Sequence, residues 1–289
     1  MKKNRLARLI REKKPSLGGW ICLGDPGVAI IMANAGYDWL LIDNEHHPFI
    51  ETQIQTIIYS LKNTQTTPIV RVRGNDPSHI KWVLDAGAGG IMVPMIENAN
   101  DVKRAISYSK YPPIGNRGYS PVRATDFWAF KQEYEERANK EILLICQIEQ
   151  VSAVDEIEEI VQLPVDAIWI GYADLSFSMG HRGNFRHTDV QKCIDRVIQA
   201  ANKYGKPWGM PAATPEDFAL RVSQGALLMT SGSDVSFLIS GASERVKMCR
   251  RAIEQKSIYA FNPAWLNLFA VFIASFTAMP APPTIKISP

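Results

Sequence analysis

The feature that most constrains this chain is a rhythm. Short runs rich in β-branched residues alternate with longer segments whose apolar residues recur at helical spacing. It is clearest over residues 143–176. LLICQI (143–148) and AIWI (167–170) read as buried strands, and between them VSAVDEIEEIVQL sets Val151, Val154, Ile157 and Val161 on one helical face. A strand–helix–strand crossover makes its two strands parallel, so the residues just past each strand come to the same sheet edge. Here those residues are carboxylates, Glu149 and Asp174. Two converging acids repel and resist desolvation unless positive charge lies between them. A hard divalent ion answers that need, since Mg²⁺ or Mn²⁺ suits one or two carboxylates with waters and substrate oxygens. A single strand-end acid equally suits a solvated loop or a helix N-cap, so the other strand ends must decide.

The rhythm runs through most of the chain. Further strands are expected at 18–24, 37–42, 68–72, 89–95, 206–212 and 227–234, with helices at 26–36, 49–61, 76–87, 98–109, 187–204, 215–225 and 235–255. The helix at 76–87 carries its own boundary signals, Asp76 as N-cap, Pro77 at the first helical position and Gly87 as the stop. Eight strands alternating with eight helices over about 255 residues is the pattern of an α/β (β/α)₈ TIM barrel. No G-x-G-x-x-G follows a strand, which argues against a doubly wound open sheet. Residues 1–256 are assigned to the barrel with its N-terminal helix, in which Leu6, Leu9 and Ile10 share a face. One stretch departs from the rhythm. Residues 111–140 hold three prolines, Gly115, Gly118 and a cluster of aromatics, and read as a long functional loop.

The tail, 257–289, stands outside the barrel count. It is apolar in its middle and Pro-rich at its end, and the barrel, a neighbouring subunit and a membrane surface are all open to it. Its run from 264 to 279 is about 16 residues, short of the ~20 that span a bilayer. A formal net charge of +3 is too small to imply nucleic acid. Cys22, Cys146, Cys193 and Cys249 are widely spaced with no C-x-x-C, and Cys22 and Cys146 fall in expected strands. Free thiols in a reducing compartment, the cytoplasm, follow.

Barrel enzymes work at the C-terminal ends of their strands. This chain places Asp43, Glu45 and His46 after the second strand, Arg71 at the end of the third, and Glu97 after the fourth. Glu149 follows the fifth, Asp174 the sixth, and Ser231, Ser233 and Asp234 the eighth. Acid, imidazole and guanidinium together exceed what packing requires. None of the sixteen lysines falls at a strand's C-terminal end, where Schiff-base chemistry would need one. A metal-stabilised enolate fits better, the ion acting as a Lewis acid, Arg71 clamping an oxyanion or carboxylate, and His46 moving a proton near neutral pH. The loops after strands seven and eight offer no phosphate cradle.

The motifs NRLARLIREKKPSLGGW, IDNEHHP, IVRV, VLDAGAGGIMVPMIEN, YPPIGNRGYS, ICQIE and GYADLS, in this order over about residues 4–255, resemble the HpcH/HpaI aldolase family. These metal-dependent pyruvate aldolases include 2-dehydro-3-deoxyglucarate and 4-hydroxy-2-oxoheptanedioate aldolases. The resemblance implies Glu149 and Asp174 as ligands of Mg²⁺, Mn²⁺ or Co²⁺, and Arg71 as the stabiliser of the pyruvate enolate. It also implies a His46–Asp85 acid–base dyad acting through a metal-bound water, and a pyruvate carboxylate held by amides near Ala173 and Asp174. A homo-oligomer follows too, a hexamer built as a trimer of dimers with a swapped last barrel helix. Two residues depart from the family pattern: Tyr172 stands where G-P-A-D-L-S has proline, and His47 where a small residue is usual.

The expected activity is a carbon–carbon lyase that cleaves a 4-hydroxy-2-oxo acid to pyruvate and an aldehyde. An oxaloacetate decarboxylase or macrophomate synthase-like enzyme would use the same enolate. A barrel without catalysis, whose tail binds a partner or membrane, is the rival of another class.

Overall fold

The structure, a computed structural model, describes residues 4–259, with side chains described over 4–255. Eight parallel strands pair in chain order: β1 (Ser16–Ile21), β2 (Trp39–Asp43), β3 (Thr67–Arg71), β4 (Gly90–Ile96), β5 (Leu143–Ile148), β6 (Ala167–Ile170), β7 (Trp208–Ala212) and β8 (Leu228–Ser233). β8 closes on β1, giving the (β/α)₈ barrel. The helices are α1 (Arg5–Arg11), α2 (Pro26–Asn34), α3 (Glu51–Ser60), α4 (Pro77–Asp85), α5 (Ala99–Ser109), α6 (Lys131–Glu141), α7 (Val151–Asp155), α8 (Ile157–Ile160), α9 (Tyr172–Ser178), α10 (Thr188–Lys203), α11 (Pro215–Ser223) and α12 (Asp234–Tyr259).

Alternation along each strand sorts residues into two cores. One lies between strands and helices; the other fills the barrel, where Trp39, Leu41, Ile69, Met92, Ile145 and Trp169 pack together. The indole rings meet edge to face, Trp39 and Trp169 at 5.8 Å. Room for them comes from Gly18, where a β-carbon would lie 2.3 Å from the Trp39 ring. α1 closes the lower end, burying Leu6 and Ala7 in the inner cluster. Its N-cap Asn4 ties it down, donating to the carbonyls of Gly89 (2.7 Å) and Glu141 (2.6 Å). Toward the C-terminal ends the inward positions turn polar: Trp39 and Leu41 lead to Asp43, Ile69 to Arg71, and Ile145 to Gln147. That gradient gathers buried polar side chains at the upper face, the end at which barrel enzymes carry their active sites.

The structure departs from the sequence expectations in several places. The latter part of 111–140 is α6, whose buried apolar contacts are Tyr134 and Ala138 at i, i+4, too sparse a stripe to show in the sequence. The helix expected over 151–161 breaks into α7 and α8, and α9 follows β6 directly. β1 ends at Ile21, so Cys22 lies just beyond the strand and is half-buried. All four cysteines are free. Two compact units are distinguished, Met1–Phe237 and Leu238–Pro289. In the second, the described side chains on α12 include exposed Leu238, Ile239, Val246, Met248 and Ile253. The expectations about the tail fall outside the described residues. Among the described residues no helix is long and apolar enough to cross a membrane.

Candidate active site

β2 and β3 run in register, with Asp43 opposite Arg71. Both side chains enter the barrel and are almost fully buried, and Arg71 donates Nε to Asp43 Oδ1 (2.9 Å) and Nη2 to Oδ2 (2.8 Å). This two-bond fork fixes the guanidinium plane. Burial works to raise the Asp43 pKa, but the Arg71 hydrogen bonds and charge outweigh it and hold the carboxyl below its usual range. The other side of Arg71 meets Glu45, Nη1 to Oε2 at 3.1 Å, and its carbon lies 4.7 Å from the Trp20 ring centroid. A buried arginine held by two acids and an indole has little freedom left.

Glu149, one residue past β5, is 1% exposed. Met95 donates its backbone N–H to Oε1 at 2.7 Å, and the Gln147 amide donates to Oε2. Met95 reaches that position with φ +54°, in the left-handed region. Burial raises the Glu149 pKa first, the charges of Glu45 and Asp174 add to it, and despite the two hydrogen bonds it reaches about 7. Glu45 is likewise pushed to about 7, by burial first, with Asp43 and Asp174 adding and Arg71 opposing. Asp174 sits in the first turn of α9, and its side chain makes no hydrogen bond or ion pair among the described residues. Three carboxylates thus share one end of the barrel with a single guanidinium that Asp43 already pairs. The surplus of negative charge, presented as carboxylate oxygens, fits a hard divalent ion.

The other expected site residues are placed differently. Ala173 is exposed beside Asp174. His46 is also exposed, its Nε2 lying 3.8 Å from Glu45 Oε2. Asp85 ends α4, which descends from the top of β3 toward the start of β4, so it lies at the opposite face from His46. Its carboxylate is held by Arg117 Nη2 at 2.5 Å. Among the described residues no hydrogen bond or ion pair joins His46 and Asp85 within one chain. Tyr172 packs on Phe185 with ring centroids 4.6 Å apart. His47, the other departure, places Nδ1 2.8 Å from Asp43 Oδ2.

Three contributors escaped the sequence reading. Asp43 appeared among the strand-end acids, but without its part in orienting Arg71. Gln147 had a signal, a lone amide in an apolar strand. Gly171 had none, because its importance lies in what stands next to it.

The comparisons with known proteins give the family. Residues 17–241 match the model of the HpcH/HpaI aldolase/citrate lyase family. A 2-dehydro-3,6-dideoxy-6-sulfogluconate aldolase of Pseudomonas putida is 36% identical over 237 residues, covering 82% of this chain and 93% of its own. A 5-keto-4-deoxy-D-glucarate aldolase of Shigella sonnei is 32% identical over 242 residues, covering 83% of this chain and 94% of its own. The crystal structure of a family member from Burkholderia cenocepacia superposes with a TM-score of 0.81 at 34% identity, over 86% of this chain and 99% of that one. The chain belongs to the HpcH/HpaI aldolase/citrate lyase family and is an enzyme of the aldolase, carbon–carbon lyase, type.

Proposed function

We propose that this enzyme is divalent-metal-dependent and reversibly cleaves a 4-hydroxy-2-oxo acid to pyruvate and an aldehyde. The observation that carries the proposal is the gathering of Glu149, Asp174 and Glu45 around a guanidinium already paired to Asp43. Glu149 and Asp174 would hold Mg²⁺, Mn²⁺ or Co²⁺. When bound, such an ion supplies Lewis-acid polarisation of the substrate's ketone oxygen. The sugar-acid aldolases among the relatives favour a hydroxylated aldehyde as the second product.

Arg71 would face the oxygen on which negative charge develops, and its fork to Asp43 removes the cost of orienting it during the reaction. The amides of Ala173 and Asp174 lie in the first turn of α9, where N–H groups have no intrahelical acceptor, and would hold the pyruvate carboxylate. His46, open to solvent beside Glu45, would carry the proton exchanged with the C4 hydroxyl. A dyad with Asp85 then takes that carboxylate from the partner subunit, because within one chain the two residues lie at opposite faces. A homo-oligomer is required on this reading, and a hexamer arranged as a trimer of dimers fits it. The exposed apolar side chains of α12 are consistent with burial between copies. The free thiols suit the cytoplasm.

The test is Glu149→Gln, assayed for pyruvate release with Mg²⁺ or Mn²⁺ added. The folded variant should lose metal-dependent turnover, as should wild-type enzyme after chelation. Turnover that survives either treatment overturns the proposal.

A further inference from the structure

A second group of metal-capable side chains stands beside the catalytic cluster. β1 and β2 pair with Ile21 opposite Ile42, so the next residues of each strand, Cys22 and Asp43, emerge side by side. His47 returns to them through the turn after β2. The Asn44 amide braces that turn, donating to the carbonyl of Phe49 at 3.1 Å, and the His47 ring stacks on Phe49 with centroids 5.9 Å apart. One ligand atom each from Cys22, Asp43 and His47 lie within 4.8 Å of one another, and the imidazole–carboxylate edge is 2.8 Å. Ligand atoms around a tetrahedral zinc ion stand about 3.3–3.8 Å apart, so the three need only small side-chain rotations to share one ion.

We propose that Cys22, Asp43 and His47 form a second cation site, selective for a borderline-soft divalent ion such as Zn²⁺ over Mg²⁺. The donor set carries the selectivity, because one sulfur, one nitrogen and one oxygen favour Zn²⁺ or Co²⁺, whereas Glu149 and Asp174 offer oxygen alone. Local charge favours a dication here too. Asp43, Glu45 and Asp234, which accepts the Cys22 and Leu23 amides at 3.0 and 2.9 Å, outnumber Arg71 as the nearby cation. Binding displaces the Cys22 thiol proton and the His47–Asp43 hydrogen bond. The site shares Asp43 with Arg71, so occupancy draws on the carboxylate that orients the guanidinium, and Zn²⁺ slows the enzyme from a position other than the oxygen site. The cation site itself does not rest on the proposed reaction, whereas the slowing by Zn²⁺ does, through the role given there to Arg71.

Co²⁺ is the probe, since a thiolate ligand gives it a sulfur-to-metal absorption that carboxylates do not. Titrating the full chain should produce this band in wild type and equally in Glu149→Gln. The band should be absent in Cys22→Ser, and His47→Gln should weaken the Co²⁺ affinity read from it by at least about tenfold. A wild-type protein that shows no such band at saturating Co²⁺ overturns the proposal. So does a band that persists in Cys22→Ser, which would assign it to another cysteine, or one whose titration His47→Gln leaves unchanged.

Discussion

Gly171 stands against Glu149 so closely that a β-carbon on it would lie 2.7 Å from the carboxylate Oε2 and 2.9 Å from the glutamate's own β-carbon. Glu149 cannot retreat, since the Met95 amide and the Gln147 side chain hold its oxygens. Gly171→Ala should therefore displace the carboxylate rather than simply crowd it. A misplacement of about 1 Å at a reacting centre costs roughly 10²-fold in rate. We expect kcat/KM to fall by about that factor while circular dichroism keeps the barrel signature.

Arg71 is fixed by geometry as much as by charge. Arg71→Lys keeps the positive charge but loses the planar fork to Asp43 and the stacking on Trp20. If the guanidinium stabilises charge that develops during the reaction, kcat should fall by about 10²–10³-fold with a smaller change in KM. A variant that raises KM alone would instead make Arg71 a ground-state binder.

The raised acids give the protein a pH signature. Glu45 and Glu149 titrate near 4.5 when unfolded and at about 7 when folded, so the native state binds more protons throughout that window. Stability therefore falls as pH rises from the ordinary carboxylate range to about 7 and levels off above it. Thermal midpoints measured in chelator should trace this decline. Added Mg²⁺ should flatten it, because the ion replaces the protons, and apparent metal affinity should weaken as pH drops below about 7.

The barrel was legible because its signal is repeated eight times, and apolar runs and helical spacing survive local irregularities. The strand-end list also gathered Glu45, Arg71, Glu149 and Asp174, since parallel strands bring their ends to one face wherever the chain goes between them. What escaped was side-chain pairing. That Asp43 grips Arg71 depends on a register no spacing reveals, and that Asp85 meets Arg117 depends on where the 111–130 segment lies. Helix α6 was hidden for a related reason: with Tyr134 and Ala138 as its buried apolar face, its sequence reads as a solvated run of charges.

Lysine chemistry offers a clean negative control. Lys110 is buried, but its ammonium donates to the carbonyl of Ile142 (2.6 Å) and to Asp166 (2.8 Å), at the start of β5 and β6 and away from the reactive face. Lys206 caps carbonyls at the same end. Borohydride reduction in the presence of pyruvate should leave the intact mass unchanged. Lys110→Ala should instead cost stability, about 1–3 kcal/mol for the buried Ile142 carbonyl left without its donor, with the partly exposed Asp166 adding little, read as a lower thermal midpoint.

The separation of His46 from Asp85 predicts complementation. His46→Ala and Asp85→Asn should each be impaired alone. Unfolded, mixed in equal amounts and refolded together, they should regain activity at roughly a quarter of the sites if each dyad spans two copies. Mixtures no more active than their parts would place the dyad's function within one chain.

The inner layer of tryptophans and the plug formed by Leu6 and Ala7 give the barrel a blind end. A molecule seated against Glu149 and Arg71 has no exit except past whatever lies above it. On the proposed reaction, with pyruvate as the part seated lowest, the aldehyde would leave before pyruvate, and in the synthetic direction pyruvate would arrive first. Product-inhibition kinetics should accordingly be ordered, with pyruvate competitive against the intact 2-oxo acid and the aldehyde noncompetitive.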